Sequence, residues 1–105
     1  MENIVIYCSV PNEFSANLIA NTLVEENLAA CVNIIDNVTS VYRWEGTAQT
    51  EKELLLMIKT QKSRFNDLKE KIISLHEYTV PEIIAVPIVE GAEEYMKWVV
   101  KETSC

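Results

Sequence analysis

Three segments of this chain, Ile4-Val5-Ile6-Tyr7, Leu54-Leu55-Leu56-Met57-Ile58 and Ile83-Ile84-Ala85-Val86, are apolar at consecutive rather than alternating positions. Successive side chains of a β-strand point to opposite faces, so each of these segments is hydrophobic front and back. An antiparallel sheet with one wet face would read as strict alternation instead. Leaving the second face in water would forgo about 1.5–3 kcal/mol for each large side chain. It would also create an apolar patch of a size that monomers rarely expose. Both faces of the sheet therefore need a cover.

The remaining pattern says what one of the covers is. Residues 3–10 read as a strand that ends at Pro11-Asn12. Asn12 is suited to cap a helix over about 12–27, with Phe14, Leu18, Leu23, Val24 and Leu28 as its apolar positions. Ala29 to Tyr42 and Glu53 to Thr60 turn to strand composition, with Arg43-Trp44-Glu45-Gly46-Thr47 between them, a long hairpin. Ser63 is placed to cap a second helix buried through Phe65, Leu68, Ile72 and Leu75. Glu82 to Val89 is the fourth strand, and Pro87 makes it an edge strand or a bulge, because proline donates nothing to the ladder. A last helix over about Ala92–Glu102 packs through Tyr95, Trp98 and Val99. The order βαββαβ plus a C-terminal helix predicts an α+β fold, the ferredoxin-like split β-α-β sandwich, with two helices on one face of an antiparallel sheet. The C-terminal helix can shield only part of the other face. The expectation is that copies of the chain cover the rest, with cyclic symmetry as the usual closure.

The 105 residues suffice for one domain, 1–105, and a hydrophobic share of 49% spread along the chain predicts a packed core. A net charge of -7 argues against nucleic-acid binding, which draws on clustered lysine and arginine. The one basic stretch, Lys62 to Lys71, is interleaved with Asp67 and Glu70 and reads as the solvated face of a helix. No stretch is apolar for the roughly 20 residues of a membrane span, and the start lacks the basic region of a signal peptide. Three cysteines, Cys8, Cys31 and Cys105, are odd in number and match no close zinc spacing. A cytoplasmic, reducing location is expected. Cys31 reads as core packing and Cys105 as an exposed terminal thiol.

Five blocks then fall in sequence: Leu23-Val24-Glu25-Glu26-Asn27-Leu28-Ala29-Ala30-Cys31-Val32-Asn33-Ile34, Ser40-Val41-Tyr42-Arg43-Trp44-Glu45-Gly46, Glu53 to Thr60, Leu75-His76-Glu77-Tyr78, and Pro81-Glu82-Ile83-Ile84-Ala85. Together they resemble the CutA divalent-cation tolerance family from Ile4 to about Val99. The resemblance implies a homotrimer whose sheets pack around a three-fold axis, tolerance to divalent metal ions, and copper binding. It implies Cys8 and His76 as the copper-associated pair. The family usually has proline after this histidine, where the chain has Glu77; the second histidine that some members carry is here Leu75.

A thiolate and an imidazole suit Cu(I) or Cu(II), although two ligands are few and a free thiol is largely protonated at neutral pH. Without a metal, Cys8 reads as a small buried residue in a strand, and His76 as a residue that bonds the last carbonyls of its helix. Tyr42, Trp44 and Tyr78 are aromatic residues on loops and strand ends, suited to an interface between subunits or to the wall of a small-molecule cleft. Glu53, Lys59 and Glu82 flank apolar strands. Lys59 and Glu82 are candidates for a buried pair in an intersubunit cleft, with Lys59 at the strand end turned to solvent as the alternative.

No enzyme signature is present: Gly46 and Gly91 form no phosphate loop, and one histidine leaves little for a triad. The loop Ser9-Val10-Pro11-Asn12 lacks the arginine of an acylphosphatase. The leading expectation is a non-enzymatic trimer that binds copper weakly. The alternatives are a trimeric sensor like the PII signalling proteins, with a metabolite in intersubunit clefts, or a scaffold that docks an unknown protein partner.

Overall fold

A computed structural model of the chain describes residues 2–104; Cys105 lies outside them. Strand β1, Asn3–Val10, leads into helix α1, Glu13–Glu25. The Asn12 side chain accepts a hydrogen bond from the Ser15 amide at 2.8 Å, a cap that contributes about 1 kcal/mol. At the other end Asn27 takes a left-handed φ of 60°, and the Leu28 amide donates back to the Leu23 carbonyl at 2.9 Å. Asparagine tolerates that conformation, so the helix stops there. The buried stripe of α1 matches the expected one at Leu23, and Leu28 just beyond the helix is buried too, but the rest of the stripe differs. The stripe is Ala16, Ile19, Ala20 and Leu23, while Phe14, Leu18 and Val24 are exposed. Two alanines let the helix approach the sheet closely on that side.

Strands β2, Cys31–Trp44, and β3, Thr47–Gln61, form the expected hairpin, but β3 begins at Thr47 rather than Glu53. Residues 47–52 are polar and carry no apolar signal, so their pairing with β2 leaves no trace in hydrophobicity. The connection is the two-residue turn Glu45-Gly46, both with positive φ (50° and 84°), the geometry that matches strand twist.

Four further elements follow. A single 3-10 turn, Lys62–Arg64, precedes helix α2, Phe65–Leu75. Ser63 lies inside that turn and does not cap the helix, because the Phe65 amide already donates to the Lys62 carbonyl. Strand β4 is only Ile84–Pro87, shorter than the expected Glu82–Val89, and helix α3 is Glu93–Glu102. The sheet is antiparallel with order β2-β3-β1-β4. Pro87 therefore sits on an edge strand, as its missing donor requires.

Helices α1 and α2 cover one face. Ile6, Cys8, Leu56, Ile58, Ile19, Leu23, Leu68 and Ile72 are all 0% exposed there. On the opposite face Val5, Tyr7, Leu55 and Met57 are half-buried, and Ile84 and Val86 are 52% and 45% exposed. Helix α3 closes only one end of that second face. Asn3 Nδ2 donates to the Met96 carbonyl at 3.1 Å, and Gln61 Nε2 to Thr103 Oγ1 at 2.9 Å. Of its three expected packing residues only Val99 is buried; Tyr95 and Trp98 pair their rings at 5.5 Å on the surface. Cys31 also departs from expectation: it is half-buried on the second face, near Lys59, rather than in the core. Among the described residues no helix is long and apolar enough to cross a membrane.

A bulge interrupts β2 between Ile35 and Val38, with Asn37 at φ 61°. Ile35 lies opposite Leu55 and Val38 opposite Glu53, so β2 carries one extra residue there. Directly paired residues share a face. Hence Ser40, Tyr42 and Trp44 lie on the same side as Glu53, continuing the second face outward along the hairpin.

Candidate functional site

The outer half of the hairpin, the end of β1 and the loop 76–83 between α2 and β4 enclose a cleft of about 660 Å³. Its walls include Tyr42, Trp44, Tyr78, Glu53, Glu77 and Glu82. Glu53 forms the floor and is only 7% exposed. The Tyr78 hydroxyl donates to Glu53 Oε2 at 2.5 Å. Burial, that hydrogen bond and the charges of Glu53 and Glu51 together push the Tyr78 hydroxyl well above the usual tyrosine range. Tyr42 is shifted the same way, by desolvation and then by Glu51 and Glu53. Ser9 Oγ donates to Glu82 Oε1 at 3.5 Å on the β1 side.

The loop is fastened at two points. Glu77 Oε2 accepts from Ser15 Oγ at 2.5 Å and from Asn12 Nδ2 at 3.4 Å, which sets a carboxylate at the positive end of α1. His76 ends α2, but its ring does not bond the carbonyls of its own helix. Its Nδ1 accepts from the Tyr78 amide at 3.0 Å, and its Nε2 lies 2.8 Å from the Ser9 carbonyl. An accepting Nδ1 puts the proton on Nε2, which donates to Ser9. The histidine thereby pins the loop to β1 and turns Tyr78 toward Glu53.

Cys8 is wholly buried on the helix side of β1, and its thiol is pushed up to about 12 by burial and by the charges of Glu82 and Glu53. Copper ligation needs a thiolate and a free imidazole nitrogen. Cys8 is buried as a thiol and both nitrogens of His76 are engaged, so copper could take this pair only after the thiol lost its proton and the ring gave up a partner. Among the described residues no three His, Cys, Asp or Glu side chains are grouped to hold a metal ion.

Five residues singled out from sequence, Tyr42, Trp44, Glu53, Tyr78 and Glu82, meet in this one cleft. Lys59 does not join them. It lies opposite Val5, whereas Ser9, beside Glu82, lies opposite Leu55; four residues of strand separate them, about 13 Å. Within one chain Lys59 bonds Asn33 Oδ1 instead of pairing with Glu82. The fastening role of Glu77 and the part of Ser9 and Ser40 in the wall were not foreseen. Glu77 stood beside the only histidine in the sequence, but nothing local says that α1 begins next to it.

A family model described as CutA1 divalent ion tolerance protein matches residues 4–102. This chain belongs to the CutA1 family. It is 52% identical over 103 residues to the divalent-cation tolerance protein CutA of Thermus thermophilus, covering 98% of this chain and 99% of that one. It is 46% identical to a chloroplastic CutA protein of Arabidopsis thaliana over 96% of its own length but 56% of that relative's. The solved structure of the Thermus thermophilus Cut A1 protein superposes with a TM-score of 0.95 at 50% identity, covering 97% of this chain and 99% of that one.

Proposed function

We propose that this CutA1 family member acts in divalent-cation tolerance as a non-enzymatic homotrimer of ferredoxin-like subunits in the cytoplasm. The observation that carries the assembly is the second face of the sheet, where Val5, Tyr7, Leu55, Met57, Ile84 and Val86 form an apolar strip that α3 covers at one end only. Another layer of the same chain is the simplest cover, and three-fold closure follows the family resemblance. The strand order, with both crossover helices on one face, supports the subunit fold. The unpaired thiols of Cys8 and Cys31 support a reducing compartment. His76 engages both ring nitrogens with backbone partners, which supports a structural rather than a catalytic role.

Copper is the metal to test first, and its binding is expected to be weak, in the micromolar range. Loading Cys8 and His76 would require loss of a proton from a buried thiol and release of the histidine from Ser9 or Tyr78. Sedimentation of the full chain at micromolar concentration is expected to give one species of three chain masses; a single-chain species would overturn the assembly. Calorimetric titration with Cu(II), on wild type and on the Cys8→Ala, His76→Ala double variant, tests the metal. Weak wild-type binding lost in the variant supports the pair. Equal binding removes both residues as ligands, and no heat in either protein overturns the copper reading.

A further inference from the structure

Three carboxylates line the cleft, and no ion pair among the described residues offsets them. Burying a carboxylate is costly unless a partner offsets it, and Glu53 is more than nine-tenths buried. Its Oε2 receives the Tyr78 hydroxyl, while no hydrogen bond reaches its Oε1 among the described residues. None of the five ion pairs among the described residues includes Glu53, Glu77 or Glu82. None of the cationic side chains of the hairpin lines the cleft: Arg43 donates to the Gly46 carbonyl, Lys52 to Thr39 and Lys59, four residues further along β3, to Asn33.

Two features choose between kinds of cation. A bare metal ion wants several oxygen donors converging at short range, and the described residues offer no group of three. A volume of about 660 Å³ is instead in the range of small organic ligands, roughly 300–1,000 Å³. Tyr42, Trp44 and Tyr78 supply aromatic walls, and aromatic faces attract ammonium and guanidinium groups, by about 0.5–2 kcal/mol depending on desolvation. From this geometry we infer that the cleft is a binding site for a small organic cation, an amine, amidine or guanidine with an apolar body, whose charged end meets Glu53 and whose body lies between Trp44 and the Tyr42 and Tyr78 rings. Glu82, at the exposed rim, adds attraction without being buried. Cys8 and His76 adjoin the cleft but do not line it, so a failed copper titration leaves the inference standing.

The test uses the full-length protein in its native assembly and three probes of nearly equal shape: benzamidine as the cation, benzamide as the neutral analogue and benzoate as the anion. Calorimetry and tryptophan fluorescence are expected to show saturable benzamidine binding, with benzamide and benzoate at least tenfold weaker. Glu53→Gln is expected to weaken benzamidine binding at least tenfold, and Tyr78→Phe severalfold, because the ring stays while the bond that orients Glu53 is lost. Should Glu53→Gln fail to fold, Glu82→Gln at the rim reads the same charge dependence, with a loss of severalfold. Benzamidine binding no tighter than benzamide would overturn the inference. So would binding unchanged in both glutamate variants, or absent because a neighbouring copy fills the cleft. Displacement of benzamidine by Zn²⁺ at concentrations below the benzamidine Kd would make a bare metal ion the occupant and also overturn it.

Discussion

On the helix side of the sheet Ile6, Cys8, Leu56 and Ile58 are completely enclosed by α1 and α2. One position along the same strands, Tyr7, Leu55 and Met57 are only half covered, and beside them Ile84 and Val86 stand about half exposed. The sequence makes both sides hydrophobic at their centre, yet one chain can finish only one of them. The finished side accounts for folding of the subunit. The unfinished side, together with the outer hairpin that runs on from it, is where the proposed contacts with other copies and with a ligand fall. Local hydrophobicity thus answers two separate questions, and only the three-dimensional cover tells them apart.

Substitutions one residue apart can break or sharpen this contrast. The largest effect is expected from Met57→Glu, which places a charge in the middle of the half-covered face. The subunit should keep its helical circular dichroism while sedimentation shows complete loss of the assembly; an intact assembly would show that this face is not the interface. Next comes Leu56→Ala, its neighbour on the enclosed face, where a buried leucine is replaced by a cavity. Urea unfolding should show about 2–5 kcal/mol lost, with the assembly preserved wherever the chain is folded. A loss below about 1 kcal/mol would mean that the enclosed face is looser than its burial implies.

The smallest effect is a slope. The Cys8 thiol is raised from 9.0 to about 12 in the folded chain, so the native state holds a proton that the unfolded state releases first. The resulting stability is fully present below about pH 9 and is lost as the pH climbs toward 12, by at most about 1.4 kcal/mol per pH unit. Unfolding free energies measured from about pH 8 to 11 should fall more steeply for wild type than for Cys8→Ala, which cancels the contribution of the other groups that titrate in this range. Parallel slopes would place the thiol in contact with water.

The element order was legible because the apolar spacing changes from strand-like to helical and back with little ambiguity, and the turn at Glu45-Gly46 is punctuated by one of only two glycines. What stayed hidden has a common cause. Residues 47–52 form strand by backbone pairing alone, and the start of α2 is settled by a 3-10 turn whose backbone leaves Ser63 nothing to cap. In α1 the expected positions Leu23 and Leu28 are buried but the large side chains Phe14, Leu18 and Val24 are not, because the sheet selected the side carrying Ala16, Ile19 and Ala20. Side-chain size favours a buried face only where there is room. The cleft was half legible: aromatic and acidic residues at strand ends drew notice, but their meeting depends on His76 pinning a loop to Ser9 across 67 positions of sequence. No local pattern encodes a contact of that kind.

The extra residue in β2 between Ile35 and Val38 also works as a parity switch for everything beyond it. Pairing the same residues with β3 without the bulge, none of them removed, would slip the outer register by one position. Thr39, Val41 and Arg43 would then share the side of Glu53, and Tyr42 and Trp44 would look the other way. A recess walled by rings and carboxylates would become one with a guanidinium of its own, already neutralised from within. A single bulge, ending opposite Glu53, thus decides which side chains of the outer hairpin are turned toward that carboxylate.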